Sequence, residues 1–304
     1  MAAVRPGVSF VIPVYNKAPY LKDVLAAIQD QDGDFDREYI FVDDGSSDGS
    51  ADLLRALTAD WPNTIIHRQD NQGSAHATNR GIERASMPFV KFVDADDLIG
   101  RPATRLLLET LIAEPGAVLA YGGTVYYPPE GPLPDLAAPV DAGERLVMPS
   151  PVRAALRNSL FNPTQFLVRT DALRRSGGCD ERVVHSQEYS LTLRLARLGS
   201  FIRIDAPVAY RPAVVPGSLG THQGRQLRRV TMACAYFLRD FPDLDVGLRD
   251  FAVRRAAGRA WKYARRNKGA GWFNSVWPWR NLLSYLPLPR DHAAFVEGCA
   301  AAFD

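Results

Sequence analysis

The chain has 304 residues, with 46% hydrophobic and 23% charged side chains; this is the composition of a folded globular protein and excludes a disordered or collagen-like one. Its net charge of +2 hides an asymmetry. Residues 1–221 carry 22 Lys plus Arg against 27 Asp plus Glu, and residues 222–304 carry 14 against 7, so a basic segment follows an acidic body.

In chain order, Val8 to Asn16 predicts a strand that ends in a turn, followed by a helix over about Tyr20–Gln31 with Leu21, Val24, Leu25 and Ile28 on one face. Tyr39–Val42 reads as a second strand opening onto Asp43-Asp44-Gly45-Ser46-Ser47-Asp48. Ser50–Ala59 then predicts a helix with Leu53, Leu54 and Leu57 inward. A short strand over Thr64–His67, a helix over Ala75–Ala85 and a strand over Phe89–Val93 complete the first hundred residues, and that last strand opens onto Asp94-Ala95-Asp96-Asp97. Such β-α alternation argues for a parallel sheet with right-handed crossovers. Both acidic clusters fall at strand C-termini, where open α/β sheets bind ligands. Asp94, Asp96 and Asp97 would repel one another without a cation or basic partner, and Asp oxygens there suit a hard divalent ion holding phosphates. The structural alternative for either cluster is a turn former or helix cap. No Gly-x-Gly-x-x-Gly turn follows a strand and no P-loop occurs.

Further along, Tyr126 to Pro134 is too rich in proline for a helix or central strand and reads as a loop, and Asn158–Val168 returns the chain to the sheet with Asn162-Pro163-Thr164 near the crevice. Helices are expected over Gln226–Phe241 and about Leu248–Lys268, the second rich in Arg and interleaved with Phe251, Trp261 and Tyr263; Trp272, Phe273, Trp277 and Trp279 follow. Basic helices with aromatic flanks can lie at a membrane interface. The competing reading packs the aromatic faces on the body and leaves Lys and Arg in water, and it is preferred because charges and Pro278, Pro287 and Pro289 break the apolar face. No apolar run approaches a spanning helix, and Met1 to Gly7 leads straight into a strand. Cys179, Cys234 and Cys299 show no metal-ligand spacing and read as reduced thiols of a cytoplasmic protein. Nucleic acid is not an expected partner, since no recognised module accompanies the basic stretch.

The segments Ser9 to Asn16, Phe41 to Asp48, Asn71-Gln72-Gly73 with Asn79-Arg80-Gly81, and Phe92 to Asp97 together resemble the ordered motifs of family 2 nucleotide-sugar glycosyltransferases, over about the first 220 residues. The resemblance implies a GT-A type α/β fold, with a mostly parallel central sheet flanked by helices and, here, a C-terminal helical extension. It divides the chain into a catalytic domain over 1–221, with a nucleotide-binding half (1–100) and an acceptor half (101–221), and a basic, aromatic-rich extension over 222–304. It further implies an inverting transfer of sugar from a nucleotide donor, most often a UDP-sugar, to a glycan or lipid-linked acceptor hydroxyl, as in bacterial-type surface polysaccharide or glycolipid synthesis. Such an enzyme would work in the cytoplasm or peripherally at the inner face of the membrane.

Carried over by residue, the resemblance puts Pro13, Tyr15, Asn16, Asp44 and Asn79 with Asp94 and Asp96 at the donor, makes Asp94-Ala95-Asp96 the Asp-x-Asp motif, and gives a Mn²⁺ or Mg²⁺ ion to Asp96 and Asp97. The segment from Gln187 resembles the family's Glu-Asp-Tyr-Asp-Leu pattern, whose Asp is the catalytic base; Glu188 holds that position here. The pattern departs at Gln187, at Thr78 and at Val215, where the family often has acid, Arg and His respectively, and His222 is the substitute candidate for metal from the same loop. A non-catalytic sugar-nucleotide or glycan-binding module of the same fold is the alternative that Gln187, Glu188 and Val215 motivate.

Overall fold

The computed structural model describes residues 5–184, 187–213 and 223–304. Nine strands, among the described residues, form one sheet. Strands β1 (Gly7–Val14), β2 (Asp36–Asp44), β3 (Thr64–Gln69) and β4 (Phe89–Phe92) lie in the order β3-β2-β1-β4 and are mutually parallel. The order reverses at β1, which makes a crevice beyond its C-terminal end. The sheet continues through β8 (Phe166–Arg169), antiparallel to β4, then β6 (Ala117–Tyr127), β9 (Ser200–Pro212) and β5 (Leu98–Ile99), with β7 (Arg145–Met148) also on β9. The second half is therefore mixed, with β6 and β9 parallel to each other.

Two apolar layers cover the sheet. Alternate residues of β1 serve both: Val8, Phe10, Ile12 and Val14 meet α1 (Ala18–Gln29) and α4 (Ala103–Ala113), while Val11 faces α3 (Ser74–Arg84). The approach of α3 is close, for a Cβ at Gly81 would lie 2.3 Å from Val11 Cγ1. On that second side α5 (Val152–Arg157), α6 (Thr170–Ser176) and α7 (Gln187–Leu195) join α8 (Gln223–Asp240), α9 (Val246–Asn267) and α11 (His292–Gly298) in one continuous core. The extension's helices α8, α9 and α11 thus pack on the body, with Phe251, Tyr263 and Trp277 partly buried against it, whereas Trp272, Phe273 and Trp279 stay exposed.

Two expectations are corrected. In α2 (Ser50–Leu57) Leu54 is buried, but Leu57 is exposed. The helix stops there, with the Thr58 hydroxyl turned back onto the Leu54 carbonyl at 2.8 Å, and Trp61 covers Tyr39 and Phe41 instead. Tyr126 and Tyr127 are not loop: they close β6 opposite Arg211 and Pro212, and the proline-rich connection starts after them.

Candidate active site

The turn after β1 is locked to the turn after β2. Asn16, at φ 52°, donates its backbone N–H to Ser46 Oγ at 3.0 Å and accepts from the Ser47 N–H on Oδ1 at 2.9 Å. Pro13 is half-buried at the crevice floor, and Tyr15 is 49% exposed at its mouth. Asp44 is buried: its Oδ1 accepts from Gln69 Nε2 (2.8 Å) and the Gln72 N–H (2.9 Å), and its Oδ2 from the Gly73 N–H (2.9 Å). A carboxylate has about four lone-pair sites, so one is left for a ligand. Asp43 is also buried, accepting from the Ser46 N–H, with Arg68 Nε 3.3 Å from its other oxygen but not aligned for a hydrogen bond.

The Asp94 to Asp97 turn follows β4. Its members face different ways. Asp97 points inward, one oxygen accepting from Thr164 Oγ1 (2.7 Å) and the other from Arg211 Nε (3.0 Å). Burial, opposed by Arg211, pushes its pKa up to about 6. The same threonine accepts from the Asp94 N–H at 3.0 Å, so Thr164 braces both ends of the turn. The Asp94 carboxyl has no hydrogen-bond donor among the described residues, and burial followed by repulsion from Asp97 and Asp96 raises its pKa well above the usual range. Asp96 turns toward the crevice, where Lys17 Nζ lies 2.5 Å from its Oδ2.

Behind the turn sits Lys91, wholly buried in β4. Its Nζ donates to the carbonyls of Thr164 and Phe92. Burial lowers its pKa to about 7 against the opposing pull of Asp97 and Asp94. For Arg211 burial works against the charge, but Asp97 and Asp94 outweigh it and hold the guanidinium above its ordinary pKa.

Glu188 enters from α7. A small cavity joins it to Asp94, Pro13, Thr78, Pro163 and Gln187. Burial raises the Glu188 pKa, eased only by its own backbone N–H in the first turn of α7 and by Arg211. The next residue, Tyr189, points the opposite way and is buried against Cys234 of α8, with Arg255 and Arg259 of α9 nearby. Gln187 is structural, its Oε1 accepting from Ser74 Oγ at 2.8 Å.

Pro13, Asp94 and Glu188 thus meet in one cavity, with Asp96 on the same turn. Asn79 does not join them. Its amide is spent on the turn before α7: Nδ2 donates to the Cys179 carbonyl and to Glu181 Oε1, and Oδ1 accepts from the Cys179 N–H. Gly178, at φ 72°, permits that approach, since a Cβ would fall 2.5 Å from Asn79 Oδ1. A larger cleft of about 630 Å³ opens on that side, but its acids are already paired: Asp180 with Arg182 and Arg194, Glu181 with Asn79 and His76. Among the described residues the Asp94 and Glu188 carboxyls of the small cavity have no hydrogen-bond or ion-pair partner on another residue, which makes it the better candidate centre. His222 lies outside the described residues, as does Val215. Among the described residues no three His, Cys, Asp or Glu side chains are grouped to hold a metal by themselves.

Sequence reasoning brought Thr164 to the crevice but missed Lys17, Lys91 and Arg211 as candidate site residues. Lys91 left one visible signal, a charge in the middle of an apolar strand.

Residues 9–181 match the sequence model of Glycosyl transferase family 2. The chain belongs to this family. Among curated relatives, poly-beta-1,6-N-acetyl-D-glucosamine synthase of Staphylococcus aureus (strain COL) is 31% identical over 114 residues, 37% of this chain and 27% of that protein. The putative glycosyltransferase EpsH of Bacillus subtilis (strain 168) is 37% identical over 106 residues, 34% of this chain and 30% of that one. The matched stretch is therefore under a third of either relative. In structure, S. aureus TarS residues 1–349 superpose with TM-score 0.62 at 17% identity, over 86% of this chain and 73% of that one. Mannosyltransferase PcManGT from Pyrobaculum calidifontis, in complex with GDP-Man and Mn²⁺, gives TM-score 0.59 at 20% identity, over 99% and 86%. Both carry the GT-A glycosyltransferase fold, and this family 2 chain shares it.

Proposed function

We propose that this family 2 chain is an inverting glycosyltransferase that moves a sugar from a UDP-sugar to an acceptor hydroxyl on a glycan or lipid-linked carrier, in surface polysaccharide or glycolipid synthesis. The observation that carries the reading is the meeting of Glu188 with Asp94 in one cavity at the end of β1. A base near the acceptor hydroxyl and a centre of charge at the leaving diphosphate are the two requirements of such a transfer. TarS has also been solved with UDP-GlcNAc, at TM-score 0.61 and 15% identity, and the synthase relative is named for an N-acetylglucosamine polymer. These support a UDP-linked donor.

In this reading Tyr15 stacks on the base at the mouth, and Asp44 takes the base imide on its remaining lone pair. Glu188 removes the acceptor proton as the acceptor oxygen attacks the anomeric carbon and the nucleotide diphosphate departs. A pKa above the ordinary glutamate value makes it a stronger base near neutral pH. A divalent ion fits the Asp94 to Asp97 turn. Among the described residues the Asp94 carboxyl has no donor, Asp96 faces the crevice with Lys17 on one of its oxygens, and their mutual repulsion is what a cation relieves. One or two carboxylates plus substrate phosphates is the usual setting for Mg²⁺. The Asp97 oxygens are committed to Thr164 and Arg211, so the metal role falls to Asp96 with Asp94. When bound, Mn²⁺ or Mg²⁺ would neutralise charge on the departing diphosphate.

The test is donor binding and turnover across a panel of nucleotide sugars, with Mn²⁺ and with chelator, for wild type, Asp96→Ala and Glu188→Gln. Asp96→Ala should lose metal-dependent donor binding, and Glu188→Gln should keep binding while transfer falls by about 10² to 10⁴-fold. Donor affinity indifferent to both chelation and Asp96 replacement would sink the metal assignment. Binding without turnover in wild type over a broad acceptor panel would favour the non-catalytic module.

A further inference from the structure

The surface formed by residues 272–288 is unlike the rest of the molecule. Nine large hydrophobic side chains in these 17 residues are between 43% and 102% exposed, Phe273 fully so. They are not a frayed end. Trp279 Nε1 donates to the Trp272 carbonyl at 2.8 Å, and the two rings stand edge to face at 5.5 Å. The Arg290 guanidinium donates to the carbonyls of Leu283, Leu286 and Leu288, holding that loop folded with its leucines outward. Arg280 anchors α10 (Trp277–Leu283) to α11 through the Phe295 carbonyl at 2.6 Å and Cys299 Sγ at 3.3 Å. An apolar patch kept outward by dedicated hydrogen bonds marks an interaction surface.

We propose that this surface docks the protein on an anionic lipid bilayer. Charge chooses the occupant. From Phe251 to Arg290 the chain has nine Lys or Arg and no Asp or Glu. At the end of α9, Lys262, Arg265, Arg266 and Lys268 are exposed next to the Trp261–Trp272–Trp279 aromatic cluster. Indole rings at headgroup level, aliphatic tips below them and cations meeting lipid phosphates form the pattern of a protein lying in the interface plane. No described helix is long and apolar enough to cross a membrane. α10 has seven residues, and Pro287 and Pro289 end the loop that follows, so this surface rests in the interface.

The test uses the full chain and vesicles of phosphatidylglycerol with phosphatidylcholine, against phosphatidylcholine alone. Wild type should sediment with the anionic vesicles, with a blue shift in tryptophan emission, and bind neutral ones at least about tenfold more weakly. Phe273→Ser with Leu286→Ser should weaken anionic binding by about tenfold or more while thermal unfolding changes little, since Phe273 is fully exposed and Leu286 is 43% exposed. Arg265→Gln with Arg266→Gln should remove most of the anionic preference. The proposal is overturned by wild type that stays in the supernatant, by equal binding to both vesicle types, or by serine variants that bind like wild type. It is equally overturned by a dimer that the serine variants abolish in the absence of lipid binding. The assay needs neither donor nor acceptor, so its outcome is independent of the transferase reading.

Discussion

At the scale of single residues the site is an arrangement of charges whose pKa values have been moved in opposite directions. Glu188 is raised by burial, so the rate of transfer should climb with pH along a limb whose midpoint lies above the ordinary glutamate value, and the residual rate of Glu188→Gln should lack that limb. Glu188→Asp restores the carboxylate but withdraws it by about 1 Å, which should cost on the order of a hundredfold in kcat with donor KM little changed. Lys91 is lowered to about 7 from 10.5. Between those values the unfolded chain binds more protons than the folded one, so this lysine adds stability as pH rises through that window. Urea unfolding should therefore show wild type gaining on Lys91→Met from pH 7 to above 10; parallel curves would remove Lys91 as the cause. Tyr15, Asp44, Asp94, Asp96 and Glu188 stood out as candidates in the sequence because each sits in a local motif. Lys17 and Arg211 did not, because their partners Asp96 and Asp97 lie 79 and 114 residues away along the chain and only the sheet brings them together.

Among the elements, α3 and β1 set the width of the crevice floor, because Val11 is two residues before Pro13 and presses on Gly81. Gly81→Ala gains about 1 kcal/mol of helix propensity, yet overpacking against Val11 costs about 1–3 kcal/mol, so a net loss of stability is expected in denaturant titration. Adding Val11→Ala should make the double variant less destabilised than the sum of the singles. Strands β1 to β4 and the helices between them were legible because apolar periods of two and 3.6 alternate there, whereas the two-residue β5 was too short to show a period. The second half was less so. β8 inserts antiparallel between β4 and β6, a pairing that no local pattern announces, and Tyr126-Tyr127 looked like loop only because prolines follow directly.

For the whole molecule, the basic tail was legible as a compositional change, but its packing was not, since the faces it meets come from α5 and α7, far back in the chain. Phe237, Leu238, Val253 and Val296 share a core with Leu156, Tyr189 and Leu193. Removing residues 223–304 should therefore expose that core and yield insoluble protein rather than a smaller folded domain. Asp240 of α8 also bridges Arg182 and Arg194 beside the turn that leads to α7. As this network is partly in water, Asp240→Ala should lower stability by only about 1 kcal/mol, to be read from the thermal midpoint.

Glu188 and Tyr189 are neighbours that face opposite worlds, one the small cavity with Asp94 and the other the helices of the tail. A chimera joining residues 1–221 of this chain to the tail of another family member would keep Asp44, Asp94, Asp96 and Glu188, yet would seat the proposed base on foreign packing. Exchanging acceptor preference between relatives by recombination should therefore succeed only when the crossover carries α7, α8 and α9 as one block.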